Sequence, residues 1–201
     1  MSEVYVSIDV ETDGPCPGLN SMLSLGAVAY NAHGGQLSTY YAKLQPIAEA
    51  VQDPKTMAWW REEAAEAWQE ATTDAKPAAE IMPDFVCWLN AFDARPVAVV
   101  YPAFDFIWVY WYLHKFVACS PFGFQCLDLK TYAMAILGTE FKKTVKKRMP
   151  KHWFDSSLPH THKAIDDAAE QGALFFKMRE HATNMLLDAT HGVLDQLRDQ
   201  Q

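Results

Sequence analysis

The run Val4-Tyr5-Val6-Ser7-Ile8-Asp9-Val10-Glu11 constrains this chain more than any other stretch. Apolar residues alternate with polar or aromatic ones, the period of a β-strand buried on one face. Asp9 and Glu11 therefore project to the same side, about 6.5–7 Å apart along the strand. Carboxylates fixed that close repel each other unless a cation sits between them. Asp13-Gly14-Pro15 ends the strand in a turn. An ordinary strand with one solvated acidic face has the same pattern, so the choice turns on what the rest of the chain brings.

Two more runs, residues 22–30 (MLSLGAVAY) and 36–44 (QLSTYYAKL), read as strands, and Asn31-Ala32-His33-Gly34-Gly35 between them as a hairpin connection. From Asp53 the pattern turns helical. Asp53-Pro54 opens one turn or helix through Trp59-Trp60, and residues 62–70 are rich in Ala and Glu. Residues 78–92 are amphipathic, with Ile81, Phe85, Trp88 and Leu89 at helical spacing and Pro83 as a candidate break. Residues 97–101 form a short apolar strand between Pro96 and Pro102, and residues 104–116 a helix apolar nearly all round. Another short strand (126–129) and a helix (130–137) stopped by Gly138 follow. A clear helix spans 164–179. The tail, 181–201, reads as a further helix, with Leu187, Val193, Leu194 and Leu197 as apolar contacts. A meander followed by alternating helix and strand predicts an α/β fold. Its mixed five-stranded sheet has three antiparallel strands, then two parallel ones, with helices on both faces. The first strand sits centrally, and ligands collect at strand ends where strand order reverses.

The 201 residues suffice for a full core, and half of them are hydrophobic. The most apolar run, residues 97–113, contains Pro102 and Asp105 and is shorter than the ~20 residues a membrane helix needs. Charged and polar residues interrupt the first 15 positions, so no N-terminal signal peptide is expected. Cys16, Cys87, Cys119 and Cys126 form no CxxC pair, which disfavours zinc and points to reduced thiols in a cytoplasmic protein without membrane partners. The net charge of −8 argues weakly against nucleic acid, but it is uneven. Lys142, Lys143, Lys146, Lys147, Arg148 and Lys151 fall within ten positions that hold no acid. Such a segment on an acidic body suits phosphates; a solvated loop is the plainer account.

Asp105 is the sole charge in that apolar run. Burying a lone carboxylate beside Phe104, Phe106, Ile107 and Trp108 costs several kcal/mol unless a cation or donors compensate. Capping the helix is one role open to it, and metal binding explains the apolar setting better. A third acidic anchor lies in His162-Lys163-Ala164-Ile165-Asp166-Asp167-Ala168. Ala164, Ala168, Phe175 and Met178 mark the helix's inner face, and Asp167 falls on it. Asp166 shares a solvated face with Glu170, Ala173 and Lys177. His162, on the loop just ahead, is a candidate general base, because its ordinary pKa of ~6.5 suits proton abstraction near neutrality.

DVETDG at residues 9–14, FD at 104–105 and HKAIDDA at 162–168 resemble the three motifs of the DEDDh group. These are the DnaQ-like 3′–5′ exonucleases, which include RNase T and oligoribonuclease and have a ribonuclease H-like fold. LSLGAVAY at 23–30 is similar to that family's second strand, and TMAWW at 56–60 to a stretch in a phage and bacterial subfamily. The likeness covers about residues 4–180. It implies an exonuclease domain over 1–180 and a helical tail over 181–201. Each motif alone is weak; three in order are specific. The resemblance implies Asp9 bridging two Mg²⁺ or Mn²⁺ ions, with Glu11 and Asp167 completing one site and Asp105 holding the other. His162 would act as base, and the backbone at Glu11-Thr12 would hold the terminal 3′-hydroxyl. Phe104 and Trp108 are candidates to stack on a base, with a core role as the plainer account, and Lys146, Lys147 and Arg148 are candidates to meet phosphates. The implied partner is single-stranded RNA, or DNA, with a free 3′ end; a homodimer is common in the family. A non-catalytic nucleic-acid-binding module is the alternative, but it should have lost an acid, and none is missing. Two departures stand out: Asp13 replaces a common second Thr, and Tyr101-Pro102-Ala103 lacks the Asn or His often found before Phe-Asp.

Overall fold

The structure, a computed structural model, describes residues 3–198 and the side chains of 3–191. Among the described residues five strands, β1 (Val4–Thr12), β2 (Met22–Tyr30), β3 (Gln36–Lys43), β4 (Pro96–Val100) and β5 (Leu127–Asp128), lie in the order β3-β2-β1-β4-β5. β1 pairs antiparallel with β2, and β2 with β3, whereas β1–β4 and β4–β5 are parallel. The expected mixed sheet is present, with the acidic strand at its centre. Among the described residues six α-helices accompany it: α1 (Pro54–Glu63), α2 (Ala65–Thr72), α3 (Ala78–Asn90), α4 (Phe104–Val117), α5 (Leu129–Leu137) and α6 (Ala164–Arg198).

The alternation of β1 decides which helices lie on which face. Val4, Val6, Ile8 and Val10 enter a core with Ile81, Phe85 and Leu89 of α3 and Val109, Tyr112 and Leu113 of α4. On the opposite face Tyr5 packs on Phe175 of α6, ring centres 4.9 Å apart. Gln171 of α6 is buried there. Its Nε2 donates to Ser7 Oγ, Ile8 O and Val99 O at 2.9–3.1 Å, tying the helix to both β1 and β4. Gly26 stands opposite Asp9 in the β1–β2 register. A Cβ at Gly26 would lie 2.2 Å from the Ala164 carbonyl group, so only glycine lets the first turn of α6 approach this closely. Ala164 is fully buried in this contact, and Ala168, one turn on, is fully buried in a cluster with Val28 and Tyr30 of β2.

Two expectations about helix ends require correction. Pro83 does not break α3, which runs through it and loses only the hydrogen bond its missing N–H would have made. The tail is not a separate helix, because α6 runs unbroken across residue 180 for 35 residues. No Gly or Pro interrupts Glu180-His181-Ala182. Leu187 is exposed there and makes no apolar seat; the side chains of Val193, Leu194 and Leu197 lie outside those described. Among the described residues no helix is long and apolar enough to cross a membrane.

The basic segment folds into three single 3₁₀ turns, Phe141–Lys143, Lys146–Arg148 and Lys151–Trp153. The Tyr101 hydroxyl anchors it just beyond β4, donating to Thr144 O at 2.9 Å and accepting from Lys146 N at 3.0 Å. At the end of β1, the Trp60 indole of α1 donates to Thr12 O at 2.9 Å. Asp53 caps α1 by accepting from Thr56 N at 2.8 Å.

Candidate active site

Three elements deliver four carboxylates to one place. β1 supplies Asp9 and Glu11, the first turn of α4 supplies Asp105, and the first turn of α6 supplies Asp167. Oxygens of Asp9, Glu11 and Asp167 lie within 4.8 Å of one another. Asp105 is buried, and its Oδ2 has no hydrogen-bond partner. The residue at the α4 N-cap is Ala103, with no capping side-chain bond, so capping does not account for the buried acid. Burial pushes Asp9 well above the usual carboxylate range, and the charges of Asp105 and Asp167 add to it. Burial, then Asp9, raises Glu11 to about 9. Burial also raises Asp105, against a bond from the Val10 backbone. These groups cannot all ionise near neutrality without a compensating cation. An oxygen-only donor set with one orphaned oxygen fits hard divalent ions.

The aspartate pair resolves as helical geometry requires. Asp167 is buried, 2 % exposed, whereas Asp166 is exposed. The loop ahead of α6 wraps Asp167: Thr161 N donates to its Oδ1 at 2.8 Å and His162 N to its Oδ2 at 3.1 Å. His162 adopts a left-handed backbone conformation, φ 58°. Its half-buried ring meets Trp59 edge-on at 5.0 Å. Burial, reinforced by the neighbouring charge of His160, lowers its pKa and favours the neutral imidazole.

Sequence reasoning missed a second layer. His160, not His162, forms the ion pair with Asp167, Nδ1 to Oδ2 at 3.0 Å. Bonds to Asp167, then Glu170, raise His160 to about 10. Glu170, expected on a solvated face, is instead buried and takes Lys146 Nζ at 2.5 Å. Burial works to raise Glu170, but the bonds from His160 and Lys146 outweigh it and lower its pKa. The reason is geometric: 100° per residue puts Glu170 about as near the Asp167 face as the Asp166 face. His160 had one unused sign in the sequence, the His-Thr-His spacing.

The candidate substrate contacts separate. Lys146 reaches the acidic cluster, whereas Lys147 and Arg148 are exposed. Trp108 is fully buried within the α3–α4 core, which leaves no ring face for a base and withdraws it as a stacking candidate. Phe104 is partly exposed beside it, ring centres 5.9 Å apart. The Thr12 hydroxyl donates inward to Gly14 O at 2.9 Å. Asp13, where a second Thr is common, is buried and takes Ser21 N on its Oδ1 at 2.5 Å, so it closes the turn after β1.

Comparison with known proteins agrees with this geometry. A family model described as "3'-5' exoribonuclease Rv2179c-like domain" matches residues 4–178. The chain is 31% identical over 180 residues to the 3'-5' DNA exonuclease Cap18 of Escherichia coli, spanning 86% of this chain and 90% of that protein. The fold matches the nuclease domain of 3'hExo, a DEDDh family member bound to rAMP, with a TM-score of 0.67 at 11% identity over 89% of this chain and 92% of that one. It also matches E. coli ExoI in a zinc-bound complex with ssDNA, with a TM-score of 0.65 at 13% identity over 94% of this chain and 43% of that one. The chain therefore belongs to the 3'-5' exoribonuclease Rv2179c-like family, as a 3′–5′ exonuclease whose fold matches that of a DEDDh family member.

Proposed function

We propose that this chain removes nucleotides one at a time from the 3′ end of single-stranded RNA and releases nucleoside 5′-monophosphates. The observation that carries the proposal is the meeting of Asp9, Glu11, Asp105 and Asp167 beside His162. Asp9, Glu11 and Asp167 would hold one divalent ion, and Asp9 with Asp105 a second, Mg²⁺ or Mn²⁺ by their oxygen donors. Such ions, when bound, supply activation of the attacking water and stabilisation of the leaving 3′ oxygen.

The chain's own residues do the rest. His162 accepts the proton of the attacking water at its imidazole, a task that its lowered pKa suits because the ring is neutral near neutrality. The Asp167 carboxylate accepts the His162 backbone N–H, which holds base and ligand in one frame. The backbone at Glu11 and Thr12 positions the terminal 3′-hydroxyl, and the open side of Phe104 accepts the terminal base. Lys146 meets the phosphate by exchanging its bond to Glu170 for one to the substrate, while Lys147 and Arg148 follow the backbone outward.

DNA is the second reading, favoured by the description of Cap18 as a DNA exonuclease. The two are separated by supplying the full chain with RNA and DNA, single- and double-stranded, labelled at either end, with Mg²⁺, Mn²⁺ or EDTA. The RNA reading expects 5′-labelled single-stranded RNA to shorten as a ladder and 3′ label to leave first as a mononucleotide, both abolished by EDTA. Faster loss of DNA establishes the second reading. Internal fragments, or first release of the 5′ label, would overturn both.

A further inference from the structure

Beside the oxygen-lined cluster lies a set of donors of different character. Ligand atoms of His160, His162 and Asp167 lie within 4.8 Å of one another. The two imidazole rings stand 4.5 Å apart, centre to centre, at 75°. His162 reaches this position through its left-handed backbone, which folds the His-Thr-His run so that both rings face the carboxylate. Asp167 is also fixed by the backbone, Thr161 N donating to Oδ1 and His162 N to Oδ2.

We propose that His160, His162 and Asp167 form a binding site for a borderline-soft transition ion such as Zn²⁺, and that its occupation withdraws His162 and Asp167 from the nuclease centre. Two nitrogens and one carboxylate oxygen make the donor set of three-ligand zinc sites, which leave a fourth position for water. Imidazole suits Zn²⁺, whereas Mg²⁺ and Mn²⁺ favour the oxygen-only set of Asp9, Glu11 and Asp167. Tetrahedral ligands at 2.0–2.1 Å stand about 3.3 Å apart, so the observed spread closes by a small shift. The shift falls on loop residues: His160 is exposed and His162 half-exposed, while Asp167 stays in its helix. His160 Nδ1 already lies 3.0 Å from Asp167 Oδ2, so an ion held by both would join groups that are in contact. Glu170 Oε2, 3.6 Å from His160 Nδ1, provides an outer carboxylate that orients the ring.

Asp167 belongs to both donor sets, and His162 cannot bind an ion through its basic nitrogen and accept a proton there. The two sites therefore exclude each other in function. The inhibitory consequence rests on the exonuclease reading; the binding itself does not. That difference makes the two claims separable by experiment.

The test is calorimetric titration of the full chain with Zn²⁺, with the visible absorption of bound Co²⁺ as a second readout of tetrahedral nitrogen–oxygen ligation. Wild type and Asp9→Asn should both take up the ion, because Asp9 is not in this donor set. His160→Gln and His162→Gln should each weaken Zn²⁺ by at least the ~10–100-fold that loss of even an outer-shell partner costs. A His181→Gln variant serves as control, because His181 faces His152 at 3.4 Å in a second close histidine pair; it should bind as wild type does. Circular dichroism establishes that each variant is folded. Unchanged Zn²⁺ affinity in folded His160→Gln, or loss of binding in His181→Gln instead, overturns the site. In the nuclease assay, Zn²⁺ should inhibit wild type at concentrations that leave the His160→Gln protein's own rate unaffected. Wild-type protein that binds Zn²⁺ yet cleaves nothing under any ion would refute the nuclease reading and leave the site standing.

Discussion

At the scale of single residues, position on a helix decides between neighbours that a motif cannot separate. Asp166 and Asp167 are adjacent, yet successive side chains turn by 100°, and only Asp167 shares the buried face of Ala164 and Ala168. Asp167→Asn should therefore inactivate the enzyme, while Asp166→Asn, whose carboxylate is exposed, keeps activity within several-fold of wild type. Single-turnover rates at saturating Mg²⁺ check this, and reversed effects would show that the helix faces are misassigned. The same reading of periodicity located Asp9, Glu11 and Asp105 because charge in an apolar setting is conspicuous in a sequence. It misplaced Glu170 because that residue lies between two helix faces, and its partners come from segments 10 and 24 residues away, His160 and Lys146. Such pairing is a tertiary event with no local pattern. His160 was visible as a type, but which of two histidines meets Asp167 depends on the loop's left-handed turn.

At the scale of elements, the site depends on how closely α6 can lie on the sheet. Gly26 is a lone glycine inside a strand, a sequence sign of close approach, but the approaching partner, Ala164, is 138 residues away and known only from the structure. Adding a methyl group there drives it into backbone, which cannot rotate aside. Gly26→Ala should cost about 1–3 kcal/mol of stability, the usual penalty of overpacking. Because the same contact places Asp167 beside Asp9, the variant should also bind Mn²⁺ more weakly. Urea unfolding and calorimetric titration measure the two effects. Loss of neither would mean that α6 is not seated on Gly26. The strands and most helices were legible from period and turn residues. The length of α6 was not, because an amphipathic stripe that fades after Arg179 looks like an end even where no helix breaker follows.

At the scale of the whole molecule, a fold built from a meander and two parallel additions gathers acids from distant parts of the chain and holds them against their repulsion. Asp9, Glu11 and Asp105 all have pKa values raised above those of an unfolded chain. The ion-free folded chain thus binds more protons than the unfolded one. Its stability from these groups is complete below about pH 4 and is lost as pH rises through the folded values, about 9 for Glu11. A bound cation offsets that loss, and protons compete with it at low pH. The rise in Tm on adding Mn²⁺ should therefore be larger near about pH 8 than near about pH 5. Calorimetric scans with and without Mn²⁺ at both values test this; an equal rise at both would mean that the ion is not held by these carboxylates. The order of elements made the sheet topology legible in advance, whereas the fate of Trp108 was not, since a core aromatic and an exposed one look alike until the helices are packed. The most direct test of the central claim is ladder formation on 5′-labelled single-stranded RNA by wild type and Asp9→Asn protein in Mn²⁺. Wild type should shorten the RNA stepwise from its 3′ end, and folded Asp9→Asn should leave it intact. Undiminished shortening by purified Asp9→Asn would contradict the account.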